Sequence, residues 1–256
     1  MASLVAGLGQ TVPTVQTIMG PGFLKEKRWD RVDVVELSWR LAGKSKAILY
    51  TPSKPGFTTP DGKEFAEERA YRKYMFETYY SFRNQTGQKL VKTDGQIGGQ
   101  GFALEKLDNC EVQLLDVSDS LLIDWVTNSK VFIGPTKESI FLRSCENTTF
   151  VIATKQLRTR DCKNCTFYLF CKTEPIVERT ENCTFRAFNG KYKGMKRHFR
   201  DAKLPRDVNM WWKIYDFSEH DAAVKKPHFT VVRGEPDTTW HINAADSVPV
   251  ETAGGN

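Results

Sequence analysis

The chain has 256 residues, 40% hydrophobic and 27% charged, enough to bury the core of one domain or of two small ones. Its net charge of +6 is too small to argue for a nucleic-acid binder and suits an acidic protein surface equally well. No stretch approaches the roughly 20 apolar residues of a transmembrane helix, and Met1-Ala2-Ser3-Leu4-Val5-Ala6 lacks the basic start and apolar length of a secretory signal.

In chain order, residues 1–22 are small, polar and broken by Gly and Pro, which predicts an extended arm. Residues 25–42 space Trp29, Val32, Val35 and Trp39 as a helix does, with Gly43 as C-cap, and 46–58 read as a loop. Thr59-Pro60-Asp61-Gly62 is a helix start. Phe65, Tyr71, Tyr74, Met75, Tyr79 and Phe82 then recur mostly at steps of three and four, which predicts a helix with an aromatic packing stripe, ending at Gly87. Residues 88–100 read as a linker through Gly95-Gln96-Ile97-Gly98-Gly99.

The middle of the chain repeats. Asparagine recurs at 109, 128, 147, 164 and 182, at intervals of 19, 19, 17 and 18. A small residue follows each (Cys110, Ser129, Thr148, Cys165, Cys183), and then a short apolar strand. A second strand precedes each later asparagine. A period near 18 with short strands and polar corners predicts a parallel β-helix. One coil cannot bury its own apolar face, and stacked coils share a core. An asparagine at the same corner of every coil is placed to bond the coils above and below through its side-chain amide. After Phe188-Asn189-Gly190, residues 196–204 predict a short basic helix before Pro205. The aromatics of Asn209–Phe217 are expected against the solenoid flank. Residues 218–256 read as an extended segment docked by Phe229, Val231 and Trp240, with a loose end.

Side chains alternate along a strand, so counting back from each asparagine sets the register. The inward columns hold Leu121/Ile123, Ile140/Leu142, Leu157/Thr159 and Pro175/Val177. One outward column reads Asp124, Arg143, Arg160, Glu178. Its opposite charges pair along the stack on this count, with Arg160 bridging to Glu178. The other reads Leu122, Phe141, Arg158, Ile176, and Arg158 is its one charge. An arginine inside an exposed apolar stripe reads as a binding surface. The plainer alternative is that Arg158 solvates a sticky sheet or stacks on Phe141.

Four motifs make residues 95–217 resemble the cofactor C domain family, closest to the branch found in the retinitis pigmentosa GTPase-activating protein. They are Phe132-Ile133-Gly134-Pro135, Gln156-Leu157-Arg158-Thr159-Arg160-Asp161-Cys162, Glu174-Pro175-Ile176-Val177-Glu178 and Trp212…Ile214-Tyr215-Asp216-Phe217. The resemblance implies a right-handed parallel β-helix and activation of GTP hydrolysis by an Arf-like small GTPase or by tubulin. It places an arginine finger at Arg158, with Gln156, Glu178 and Phe217 contacting the partner or supporting the finger. Phe141, Ile176 and Arg160 share that face. GTP and magnesium would belong to the partner, so no cofactor is expected on this chain. With neither a secretory signal nor a membrane span in the sequence, a cytoplasmic protein is expected, at the cilium, flagellum or basal body. The rival reading is a non-catalytic component of a cilium, axoneme or basal body that uses the fold as a binding module.

The expected organisation is therefore an N-terminal arm and helical extension over 1–94, the β-helix over 95–217 and an extended tail over 218–256. All six cysteines lie between Cys110 and Cys183 and are expected reduced. Cys162-Lys163-Asn164-Cys165 lacks the second pair or nearby histidine of a zinc site. His198, His220, His228 and His241 have no ligand spacing, and Gly98-Gly99-Gln100-Gly101 lacks the Lys-Ser/Thr of a P-loop. Ala2 stands where myristoylation needs glycine, so no lipid anchor is expected, and no nucleic-acid partner either.

Overall fold

The computed structural model describes residues 56–205, 207–234, 236 and 239–243. The arm expected at 1–22, the helix expected at 25–42 and the tail beyond 243 lie outside these residues. The described chain is mainly β and winds into a parallel solenoid of about six turns, as the repeat predicts.

Three faces make up the solenoid. The first stacks Ser81–Thr86, Phe102–Asp108, Leu121–Thr127, the ends of Lys130–Arg143 and Thr149–Arg160, then Ile176–Glu178 and Tyr215–Asp216, all in parallel. The second stacks Lys89–Lys92, Glu111–Leu114, the starts of the same two long strands, Thr166–Cys171, Cys183–Ala187 and Phe229–Val232. The third is the short return between them. Successive aromatic rings stack inside the second face. Phe150 and Phe167 lie 5.3 Å apart, and Phe167 and Phe185 lie 4.8 Å apart.

Each corner has a physical cause. Asn109, Asn128, Asn147, Asn164 and Asn182 all take left-handed backbone angles, with φ from 49° to 51°. Asparagine tolerates that region better than any residue but glycine. The amides form the expected ladder. Nδ2 of Asn182 donates to Oδ1 of Asn164 at 2.9 Å, Asn164 to Asn147 at 3.2 Å, and Asn147 to Asn128 at 3.4 Å. Asn128 donates to Asp108 at 2.8 Å, which ends the row. A second left-handed column sits three residues earlier, at Lys106, Trp125, Ser144, Asp161 and Arg179. Gly134 sits where chains cross closely. A Cβ there would lie 2.5 Å from the Asp116 carbonyl oxygen, which is why Phe132-Ile133-Gly134-Pro135 needs its glycine.

The N-terminal side differs from expectation. The helix α1 spans only Glu68–Tyr79, and none of its residues is buried. Its aromatic stripe packs on a small hairpin instead of the core, with Tyr71 stacked on Phe57 at 5.4 Å and Tyr74 near Phe65 at 5.2 Å. Phe82 belongs to the first solenoid strand. Gly87, read as a helix stop, occupies the asparagine position of that first coil, with φ 65°, three residues after left-handed Asn84. Residues 89–92, read as linker, pair with Glu111–Leu114, so solenoid stacking begins at Ser81, before residue 95.

The chain covers two of its own three faces. Helix α2, Met195–Asp201, lays Phe199 against Phe170 and, with Ala202 and Leu204, seals Val117 and Ala153 on the third face. On the outside of the second face, Tyr192 and Trp240 meet Phe132 edge-on, each at 5.6 Å. Trp240–Ile242 pairs with Gly190–Tyr192 to complete that cover. Among the described residues, none covers the outer side of the first face.

Candidate functional site

The open face carries every site residue expected from the sequence. Parallel pairing aligns Leu122, Phe141, Arg158, Ile176 and Tyr215 in one outward column. Leu122 is 49% exposed and Tyr215 54%. Gln156 is exposed two residues before Arg158, on the same side of the strand. The guanidinium of Arg158 lies 5.4 Å from the ring of Phe141 on the rung below and 5.7 Å from that of Phe217 two rungs above. Phe217 stands edge-on to Tyr215 at 5.1 Å. Two rings thus bracket the cation, an arrangement that limits its side-chain freedom and favours one position.

The charges divide differently from the column count. Nη2 of Arg158 donates to Glu178 at 2.9 Å, while Arg160 Nε is 3.7 Å from the other oxygen of the same carboxylate. Glu178 therefore serves both arginines and is closer to Arg158. Arg160 also lies 3.4 Å from Asp161, which pairs with Arg179 at 3.0 Å. Asp124 and Arg143 form the pair that the column predicts, with both oxygens engaged, at 2.6 and 2.5 Å. The Arg158 side chain is 46% open to water and that of Glu178 23%. Exposed pairs of this kind contribute about 0–1 kcal/mol. Moving Arg158 off Glu178 is therefore cheap.

Beside Arg158 lies a cleft of about 350 Å³ lined by Arg158, Glu178, Arg179, Phe217, Ser218 and Asp221. The sequence reading missed Arg179, Ser218 and Asp221. Arg179 was available to it as the member of the left-handed column three residues before Asn182. The other two come from a rung outside the 18-residue period.

Two other clusters have structural explanations. Cys162 and Cys165 belong to buried columns inside the solenoid corner. Hydrogen bonding from Cys145 and burial push the Cys162 thiol up, and burial pushes Cys171 up to about 11. These thiols stay protonated and pack as small apolar groups. Asp94, Asp116 and His198 bring metal-type ligand atoms within 4.8 Å of one another. There the Arg197 guanidinium contacts both Asp94 and His198, taking the place of a cation. Asp116 already accepts from the amides of Ile97, Gly98 and Val117, each at 2.8 Å. The cluster clamps α2 to the loop before Phe102. Among the described residues no helix is long and apolar enough to cross a membrane.

The chain resembles several known proteins. Residues 99–217 match the family model described as Tubulin binding cofactor C. The chain is 30% identical over 166 residues to Tubulin-folding cofactor C of Arabidopsis thaliana, covering 64% of this chain and 48% of that protein. It is 34% identical over 169 residues to Protein XRP2 of Danio rerio, covering 66% and 40%. It thus spans less than half the length of either relative. The solved structure of Tubulin Binding Cofactor C from Leishmania major aligns with 60% of this chain and 89% of its own, at a TM-score of 0.42 and 18% identity. Residues 99–217, a little under half of the chain, thus carry the likeness to the tubulin binding cofactor C family.

Proposed function

We propose that this chain activates GTP hydrolysis by a separate GTPase, with Arg158 as an arginine inserted in trans and the open face as the docking surface. The observation that carries the reading is that Arg158, half exposed and bracketed by Phe141 and Phe217, stands on the solenoid face that the described residues leave open. Phosphoryl transfer accelerates when a fixed cation meets the charge that develops on the γ-phosphate, by about 10³–10⁵ for an arginine supplied in trans. That is about 4–7 kcal/mol of barrier, several times the cost of leaving Glu178. Guanidinium suits the task because it keeps its charge and forks onto phosphate oxygens. A rigid β-helix holds it without reorganisation. Phe141 and Ile176 would bury against the partner and exclude water, while Gln156, Glu178, Arg160 and Phe217 contact it or orient the arginine.

The partner class is an Arf-like small GTPase or tubulin. Tubulin follows from the names of the cofactor relatives, and the small GTPase from the finger chemistry and the family resemblance. The site of action in this reading is the cytoplasm, at a cilium, flagellum or basal body. Single-turnover hydrolysis by GTP-loaded Arf-like GTPases and by tubulin, with wild-type protein and Arg158→Ala, tests it.

A second reading has its own support. Leu122 and Trp125, exposed to 49% and 50%, extend the open face one rung below Phe141, away from Arg158. They suit a non-catalytic module of a cilium, axoneme or basal body. Firm co-sedimentation with axonemes without stimulated hydrolysis would favour that reading.

A further inference from the structure

The last rung breaks two columns at once. Pairing of Cys183 with Phe229 sets His228 opposite Asn182, continuing the position that asparagine fills in the coils below. Those asparagines face outward and bond to one another. His228 is 7% exposed and turns instead to Asp216. Asp216 pairs with Val177, so it takes the inward position held below by Ile123, Leu142, Thr159 and Val177. A carboxylate thus ends an otherwise mostly apolar stack.

The two exceptions answer each other. Nδ1 of His228 lies 2.6 Å from Oδ2 of Asp216, and Oδ1 accepts from the Ser218 amide at 2.8 Å. An ionised carboxylate only accepts, so the imidazole donates through Nδ1. Its Nε2 is buried with no partner among the described residues. An orphaned buried nitrogen is unfavourable, and packing alone would favour an apolar side chain here. The bond to Asp216 accounts for the histidine.

Asp216 directly precedes Phe217. That ring is 57% exposed, so packing on its outer side does not hold it. Its placement comes from the backbone around it. The Phe217 amide donates to the Val177 carbonyl at 2.9 Å, and the Ser218 hydroxyl accepts from the Arg179 amide. The loop from 217 to 227 leaves the first face and returns at His228 on the second. The Asp216–His228 bond closes that loop across the end of the solenoid. We propose that His228 is a positioning residue: by fixing Asp216 it sets Phe217, and through Phe217 the direction of the Arg158 guanidinium. This rests on the reading of Arg158 given above. His228 itself touches neither partner nor nucleotide.

The full chain is tested as wild type, His228→Ala, His228→Asn and Arg158→Ala. Asparagine keeps a donor near the place of Nδ1. Two readouts are taken: amide exchange at Phe217 and Ser218, and stimulated GTP hydrolysis by Arf-like GTPases and tubulin as activator is titrated. His228→Ala is expected to lose exchange protection at 217–218 while the asparagine-ladder coils keep theirs. It is expected to lower the maximal stimulated rate about 10- to 100-fold, the scale of a roughly 1 Å misplacement, with little change in the activator concentration for half-maximal effect. His228→Asn should restore most of both. Full activity of His228→Ala beside an inactive Arg158→Ala overturns the positioning role alone. Unchanged protection at 217–218 in His228→Ala, or a folded His228→Asn that restores neither readout, overturns it as well. Full activity of Arg158→Ala overturns the arginine reading, and the exchange data then still decide whether His228 holds Phe217.

Discussion

Replacing Glu178 by glutamine keeps the side-chain shape and removes the charge that Arg158 and Arg160 share. The pairs measure 2.9 and 3.7 Å, and the three side chains are 46%, 23% and 45% exposed. At such exposure, solvent screening reduces each pair to about 0–1 kcal/mol, with the longer contact at the low end. The summed loss is about 1 kcal/mol, or a fall of about 2–4 °C in Tm for a domain of this size. Two arginines one residue apart are then left on one face with no carboxylate between them. Arg158 keeps only its two aromatic contacts, worth about 0.5–1 kcal/mol each at an exposed site. Stimulated hydrolysis should therefore fall more than stability does, by about tenfold, because orientation is lost while the fold is kept. Chemical denaturation at low salt and at 1 M salt is the assay. The Debye length shrinks to about 3 Å at 1 M, so the difference between wild type and Glu178→Gln should largely vanish there. A loss above about 3 kcal/mol that persists at high salt would refute the exposed-pair account, since only a buried pair behaves that way.

Two further outcomes are expected. Asn164→Ala removes two ladder bonds and puts alanine at φ 51°, so urea unfolding should show a loss of about 2–3 kcal/mol, whereas Asn109→Ala, at the same φ but outside the ladder that ends on the neighbouring Asp108, should lose less. Hydrogen bonding from Arg197 holds the Asp94 carboxyl below the usual carboxylate range. Its contribution is complete above the unfolded pKa of about 4 and is lost as pH falls through the lower folded value, so exchange protection of α2 should drop as pH falls below about 4 while the solenoid strands keep theirs.

The coils were legible because left-handed corners select asparagine, and the selection repeats at each turn. The same rule explains where the reading stopped short. The first coil uses Asn84 and Gly87 in place of the usual pair, and the aromatic spacing of α1 runs on into Phe82, so a strand looked like the end of a helix. The outward columns were also legible, since pairing in register needs only alternation. Counting vertical neighbours, however, assigns Glu178 to Arg160 and overlooks the diagonal reach of a guanidinium, which brings Arg158 closer. The last rung was hidden because Tyr215–Asp216 and Phe229–Val232 arrive after a long excursion through α2, off the 18-residue period. That rung brings Phe217 to Arg158, so Asp216 and His228 show their purpose only once the chain is wound.

The central claim concerns Arg158 alone, and single-turnover GTP hydrolysis by a responsive partner addresses it directly. Wild-type protein should accelerate hydrolysis by about 10³–10⁵, and Arg158→Ala should abolish the acceleration while binding weakens only modestly. Arg160→Ala should keep most of the activity. Hydrolysis stimulated as strongly by Arg158→Ala as by the wild type would contradict the account.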